Sequence, residues 1–137
     1  MKKKYLAIIL MVLVLGSSIT AVASAHSTSK SLKADHAKAT AVMNYEFKNR
    51  LFGDDKADAS TTFTEKSGNY RVAVRLEGCD SKGNLIDYRY SSDAKKASVG
   101  PLVFSDVGSF RSRHSIDEYD SNYNYVEVQV DSIYQHE

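Results

Sequence analysis

Nucleophilic hydrolysis needs a serine or cysteine within reach of a histidine, and this sequence offers few histidines for that role. His26 and His36 fall in a polar N-terminal stretch, and His136 is the second-last residue. Only His114 falls inside a predicted strand, on the apolar face of that strand. Such a position favours a core histidine hydrogen-bonded to its surroundings over a catalytic base. The sequence therefore predicts no catalytic residue, with hydrolysis by His114 and distant carboxylates as an alternative.

The single cysteine, Cys79, stands in the sequence EGCDSKGN, just before a predicted turn. Strand alternation puts its side chain on the outward face with Arg71 and Arg75, unless a bulge at Gly78 turns it inward. No histidine is near it in the sequence, so a catalytic thiolate is not expected. With one cysteine, no internal disulfide can form. The sequence leaves open a disulfide-linked dimer through Cys79 and a passive, half-buried thiol.

Oxygen ligands for a metal ion cluster towards the C-terminus: Asp117, Glu118, Asp120 and Asn122. The stretch that starts at Asp120 resembles the opening of an EF-hand loop, and Asp131 occupies its twelfth position. Its sixth residue, however, is Tyr125, where the loop requires glycine, and the residues that follow alternate like a strand. A solvated polar turn is therefore predicted in preference to a calcium site, and no metal or cofactor is expected.

Two groups of residues suit binding better than catalysis. Tyr119, Tyr123 and Tyr125 cluster in the stretch EYDSNYNY, whose composition is that of adaptable recognition loops, although such tyrosines also cap the ends of cores. Five arginines occupy outward positions of the predicted strands: Arg71, Arg75, Arg89, Arg111 and Arg113. Arginine suits phosphate and carboxylate ligands, such as teichoic acids or phospholipid headgroups. Acidic residues that project the same way favour an ordinary charged exterior.

The elements that carry these residues are strands, because apolar and polar residues alternate with period two along most of the chain. Tyr70, Val72 and Val74 alternate with charged or small residues, and Asp80 to Gly83 has the residue preferences of a type I turn. The predicted strands lie at about 43–48, 57–63, 69–77, 85–91, 95–104, 108–116 and 126–131. We therefore predict an all-β fold, a small antiparallel β-sandwich of about seven strands. A small β-barrel or a jelly-roll variant is the alternative.

The N-terminus has the three parts of a secretory signal peptide. Three lysines precede an apolar run from Tyr5 to Leu15, and Ala23-Ser24-Ala25 fits the cleavage rule. The apolar run is shorter than the roughly 20 residues that span a bilayer. We expect residues 1–25 to be a cleaved signal peptide, 26–38 a flexible N-terminal arm and 39–137 a single β-sandwich domain. The mature form is expected to have no stable membrane span.

The charge balance of the chain restricts the kinds of partner that we expect. Loss of residues 1–25 leaves 15 basic and 17 acidic residues, so the net charge becomes −2, and a nucleic-acid partner is not expected. The leading hypothesis is a secreted, extracellular, non-enzymatic binding protein of a bacterium that recognises a surface component or a protein partner. Alternatives are a bacteriocin-like effector or its neutralising protein, and the small hydrolase that uses His114.

Overall fold

The computed structural model describes residues 25–48 and 53–118 in full, and the backbone of 125–134. The described chain is built of eight strands: β1 (Ala25–Ala34), β2 (Ala37–Glu46), β3 (Asp55–Lys66), β4 (Tyr70–Cys79), β5 (Leu85–Asp93), β6 (Lys96–Phe104), β7 (Ser109–Glu118) and β8 (Tyr125–Tyr134). Within these residues there is no helix of the length and apolarity that a membrane crossing requires.

The strands form two four-stranded antiparallel sheets that pack face to face. Sheet A has the order β1-β2-β3-β6, and sheet B has the order β5-β4-β7-β8. The predicted all-β sandwich is therefore confirmed. The seven predicted strands correspond to β2 to β8.

The eighth strand, β1, replaces the flexible arm that the sequence predicts over residues 26–38. Ala25 to Ala34 pair with β2 along the full length of the strand. Only Leu32 and Ala34 of β1 are buried, so the apolar alternation is confined to its last three residues. The remaining residues are held by main-chain hydrogen bonds, which leave little trace in a hydrophobic pattern.

The core is asymmetric between the two sheets. Sheet A lines it largely with alanines, and sheet B lines it with large side chains. The buried alanines are Ala34, Ala37, Ala39, Ala41, Ala57, Ala59 and Ala97, with Leu32, Met43 and Leu102 among them. Opposite lie Tyr70, Val72, Val74, Leu76, Phe110 and Ile116. Large side chains thus fill the space that the small ones leave, which keeps the interior densely packed.

The β4–β5 hairpin forms as the sequence predicts. The Gly83 N–H donates to the Asp80 carbonyl at 3.0 Å, which closes the turn, and Gly83 has a positive φ of 84°. Asp80 Oδ1 accepts from the N–H groups of Lys82 and Asn84, each at 2.8 Å. These bonds hold the pKa of Asp80 below its ordinary value, chiefly through Asn84. The carboxylate therefore fixes the turn.

At the start of this turn the pairing of β4 with β5 shifts between Gly78 and Cys79. Cys79 keeps its register with β7, opposite Ser109, and its side chain is 2 % exposed. The expectation of an accessible thiol is therefore wrong. Gly78 itself lies under an aromatic ring: a Cβ there would be 2.3 Å from Cε2 of Phe104. Only glycine lets the ring pack so closely.

Candidate functional site

The outer face of sheet B, which points away from the core, carries several charged and aromatic side chains. Its residues form three cross-strand rows over β5, β4 and β7. The rows are Ser92–Ala73–Ser115, Tyr90–Arg75–Arg113 and Tyr88–Glu77–Arg111. Residues directly opposite one another in a sheet share a face, so each row runs straight across the three strands.

A groove of about 250 Å³ lies between the first two rows. Its floor is Ala73 and Ser115, which are small and nearly buried although they belong to the outer face. Its wall consists of Arg75, Tyr90 and Arg113. We call these five residues the outer groove. A small floor between long side chains leaves room for a ligand group to reach the sheet.

Beside the outer groove, Glu77 is bound by two arginines. Its carboxylate is 3 % exposed, with Arg75 Nε 2.6 Å from Oε1. Arg111 Nε donates to Oε2 at 2.6 Å, and Arg111 Nη2 contacts the same oxygen. The Arg75 guanidinium also lies over the Tyr88 ring, 4.2 Å from its centroid. Within the fully described residues, two guanidinium groups thus share one carboxylate.

Arg113 adds a second positive charge and is differently placed. It is exposed, and within the fully described residues it has no ion pair. Its neighbour in the row, Arg75, pairs with Glu77, whereas Arg113 lines the groove from β7. A guanidinium without a carboxylate partner presents its donors to a ligand at little desolvation cost.

Of the five arginines placed at outward positions by the sequence, four lie on the outer face of sheet B and the fifth does not. Arg71, Arg75, Arg111 and Arg113 share the outer face. Arg89 lies opposite Leu76 and therefore on the other face of β5, where it pairs with Asp87 at 2.8 Å. The shift at Gly78 changes the register of the hairpin, so β5 turns its tyrosines outward and Arg89 away.

His114 lies on the opposite side of sheet B, inside the core, as its place in the apolar pattern predicts. Its side chain is fully buried. Nδ1 is 2.8 Å from Thr61 Oγ1 on sheet A, and Nε2 is 2.9 Å from Ser112 Oγ. The Thr61 hydroxyl donates its single proton to the Ala73 carbonyl at 2.8 Å, so His114 Nδ1 must donate to Thr61. Neutral His114 then accepts from Ser112 at Nε2.

This network joins the two sheets and keeps the imidazole uncharged. Burial lowers the pKa of His114 from 6.5 to about 4. A serine that donates to a histidine is also the arrangement of a nucleophile and its base, but Ser112 and His114 are both fully buried. A substrate would have to open the sandwich to reach them. The geometry therefore favours a structural role for the pair.

The remaining candidate residues do not assemble into a site within the described residues. No group of three or more metal-binding side chains occurs in this part of the chain. Asp117 and Glu118 end β7. Asp120 and Asn122, like Tyr119 and Tyr123, lie outside the described residues, as do the side chains of β8. The predictions of a polar turn and of a tyrosine recognition loop there remain predictions.

The sequence did not single out the groove's floor or Tyr90. Small residues at outward positions of two strands, Ala73 and Ser115, are the only signal it carries. That signal becomes a groove only when β4 and β7 are known to be neighbours in this register. Comparison with protein-family models, with curated proteins and with solved structures finds no match for this chain.

Proposed function

We propose that the protein is a secreted, non-enzymatic binding protein of a bacterium, and that it recognises an anionic component of a cell surface through the outer groove. Arg113 is the main support for this proposal. Its guanidinium is exposed beside a pocket with a small floor, and it has no carboxylate partner among the fully described residues.

The ligand chemistry follows from the wall of the groove. Arginine binds phosphate and carboxylate oxygens through paired N–H donors, so the ligand carries one of these groups. Tyr90 is 61 % exposed and offers a flat ring on which a sugar or another planar group can pack. A surface polymer of repeated phosphate or carboxylate units, such as a teichoic acid, fits both features.

Local charge, and not net charge, drives the proposed binding. The chain after residue 25 has a formal charge of −2, so a polyanion would be repelled by the molecule as a whole. Attraction must come from the local group of Arg75, Arg111 and Arg113, in which Glu77 is the one carboxylate that pairs with an arginine among the fully described residues. Binding should therefore weaken with salt and depend on particular arginines.

A hydrolase that uses His114 is less well supported, because the imidazole is fully buried in the inter-sheet network. No observation in the described residues favours an effector or a neutralising protein over the binding function.

The test is a titration calorimetry experiment with poly(glycerol phosphate), with polyglutamate as the carboxylate probe and dextran as the neutral one. Arg113→Gln should weaken binding of the anionic probe by about tenfold, the worth of one charge-assisted hydrogen-bonded contact. Lys33→Gln is the matched control, since it removes one exposed positive charge from β1 on the other sheet.

If both variants weaken binding equally, the attraction is general and the groove has no role. If none of the anionic probes binds, the proposal of an anionic ligand fails. Binding of dextran with the same affinity would show that the arginines are not used.

A further inference from the structure

The free edge of sheet B is unusually apolar for an exposed strand. β5 is the first strand of the order β5-β4-β7-β8, and in the described chain no strand pairs with its outer edge. The exposed large hydrophobic residues concentrate there: Leu85, Ile86, Tyr88 and Tyr90 are 46 %, 49 %, 47 % and 61 % exposed. Edge strands of this kind are templates for pairing with another strand.

The main-chain groups of Tyr88 point to this open edge. The Tyr88 N–H donates to Asp87 Oδ1 at 2.8 Å, and its carbonyl accepts from Arg89 Nη1 at 3.0 Å. Both groups thus bind side chains of neighbouring residues in β5, which indicates that they face the open edge. In an antiparallel ladder the N–H and C=O of one residue point the same way, so Tyr88 can exchange two hydrogen bonds with an added strand.

We propose that β5 pairs with β5 of a second copy of this chain, antiparallel and centred on Tyr88. In that register Tyr88 faces Tyr88 of the second copy, and Ile86 faces its Tyr90. Asp87 faces Arg89 of the second copy, and the twofold axis repeats each of these contacts. These three kinds of pair are therefore apolar with apolar or acid with base, and Leu85 at the end of the strand faces Ser91 of the second copy.

The partner strand is assigned to a second copy of this chain because the charges on β5 are complementary to those of an antiparallel β5. Asp87 and Arg89 already form an ion pair within the strand, at 2.8 Å, with side chains 47 % and 54 % exposed. Such an exposed pair contributes little to stability, so its exchange for the same pair across the axis has a low cost. The exchange also frees the Tyr88 N–H and C=O for the partner strand. In the monomer the Asp87 and Arg89 side chains thus occupy the main-chain groups of Tyr88 at the edge, and in the dimer they pair with each other between the two copies.

The dimer has a defined geometry. A twofold axis between antiparallel strands of one sheet is perpendicular to that sheet, so both outer faces lie on the same side. The two four-stranded sheets B become one continuous sheet of eight strands. The isologous contact closes on itself, which limits assembly to a dimer.

The test is a charge-swap series studied by sedimentation equilibrium under reducing conditions, over a range of concentrations. Asp87→Arg puts two positive charges opposite each other twice across the axis, and Arg89→Asp puts two negative charges there. Each single variant should dimerise at least about tenfold more weakly than the unchanged protein, since like charges directly opposite destabilise a strand pair. The double variant D87R/R89D should recover dimerisation, because acid again faces base.

An equimolar mixture of the two single variants should form a heterodimer, since every cross-axis pair in it is complementary. Asp54→Arg, at an exposed position away from β5, is the matched control and should dimerise like the unchanged protein. Both side chains of the pair are exposed, so unfolding curves should show that all variants fold. A monomer at every concentration, or a dimer that the single reversals leave unchanged, would overturn the proposal. Failure of the mixture to associate would overturn the register centred on Tyr88.

Discussion

Acid should destabilise this protein through one buried histidine. Lowering the pH from 7 to 5 should reduce the stability of the folded protein because of His114, whose burial lowers its pKa from 6.5 to about 4. Between these values the unfolded chain binds a proton at His114 that the folded protein does not bind. The free energy of unfolding therefore falls as the pH is lowered through 6.5 towards 4, and this contribution is constant below about 4 and above the ordinary pKa.

The size of the effect follows from the two pKa values. At pH 5 nearly all unfolded molecules have a protonated His114, while few folded ones do. The difference amounts to about 2 kcal/mol of lost stability. That is a large part of the stability of a small domain. The physical cause is burial, which disfavours the charged imidazole. A protonated imidazole would also keep Thr61 as acceptor but would force the Ser112 hydroxyl to turn and accept as well.

The assay is urea unfolding at both pH values, for the unchanged protein and for His114→Gln. The variant is expected to be less stable at pH 7, but its loss of stability between pH 7 and pH 5 should be smaller by about 2 kcal/mol. Carboxylates that titrate elsewhere contribute equally to both proteins and cancel. His36→Gln, at an exposed turn, is the matched control and should behave like the unchanged protein. If the free energy of unfolding has the same pH dependence in the unchanged protein and in His114→Gln, His114 is not the group that makes the protein sensitive to acid.

Two further predictions concern the bulged end of β4. Gly78→Ala should destabilise the protein by about 1–3 kcal/mol, because the new Cβ would lie 2.3 Å from the Phe104 ring. Phe104→Leu in the same chain should recover part of the loss in urea unfolding, and full additivity of the two changes would contradict the close contact. Cys79 should react with a thiol reagent far more slowly in the native protein than in urea, because its side chain is 2 % exposed. As a control, Ser81→Cys in a Cys79→Ser background places an exposed thiol in the turn, and this thiol should react at once. Equal reaction rates of the two thiols in the native proteins would show that Cys79 is accessible.

The fold was predictable where apolar alternation is strong. Tyr70, Val72 and Val74 on β4 define an inner face that the structure confirms. The hairpin turn was equally clear, because Asp80 and Gly83 have specific roles in it. β1 was not predictable, since its first seven residues are polar or small and are held by main-chain bonds. Main-chain hydrogen bonds to a neighbouring strand do not require particular side chains, so the sequence of such a strand has no recognisable pattern.

The candidate site was predictable only in part, because it depends on register. The arginines at outward positions of β4 and β7 were visible as an alternating pattern. Arg89 was assigned to the wrong face, since a shift of one position in the pairing of β5 opposite Gly78 reverses the sides of the β5 residues that follow. The burial of Cys79 could not be predicted from alternation either, since its unbroken register with β7 places it in line with Glu77 on the outer face. Positions after a bulge cannot be assigned to a face by counting.

The alanine lining of sheet A has a consequence for how this protein tolerates mutation. At Ala41 or Ala59 every substitution except glycine adds volume, which a densely packed core tolerates poorly. At Leu76 or Phe110 the common substitutions remove volume and leave a cavity. A saturation library should therefore show two opposite preferences, with sheet A rejecting larger residues and sheet B rejecting smaller ones. A larger residue in sheet A should therefore be tolerated best when a smaller residue replaces the side chain opposite it in sheet B.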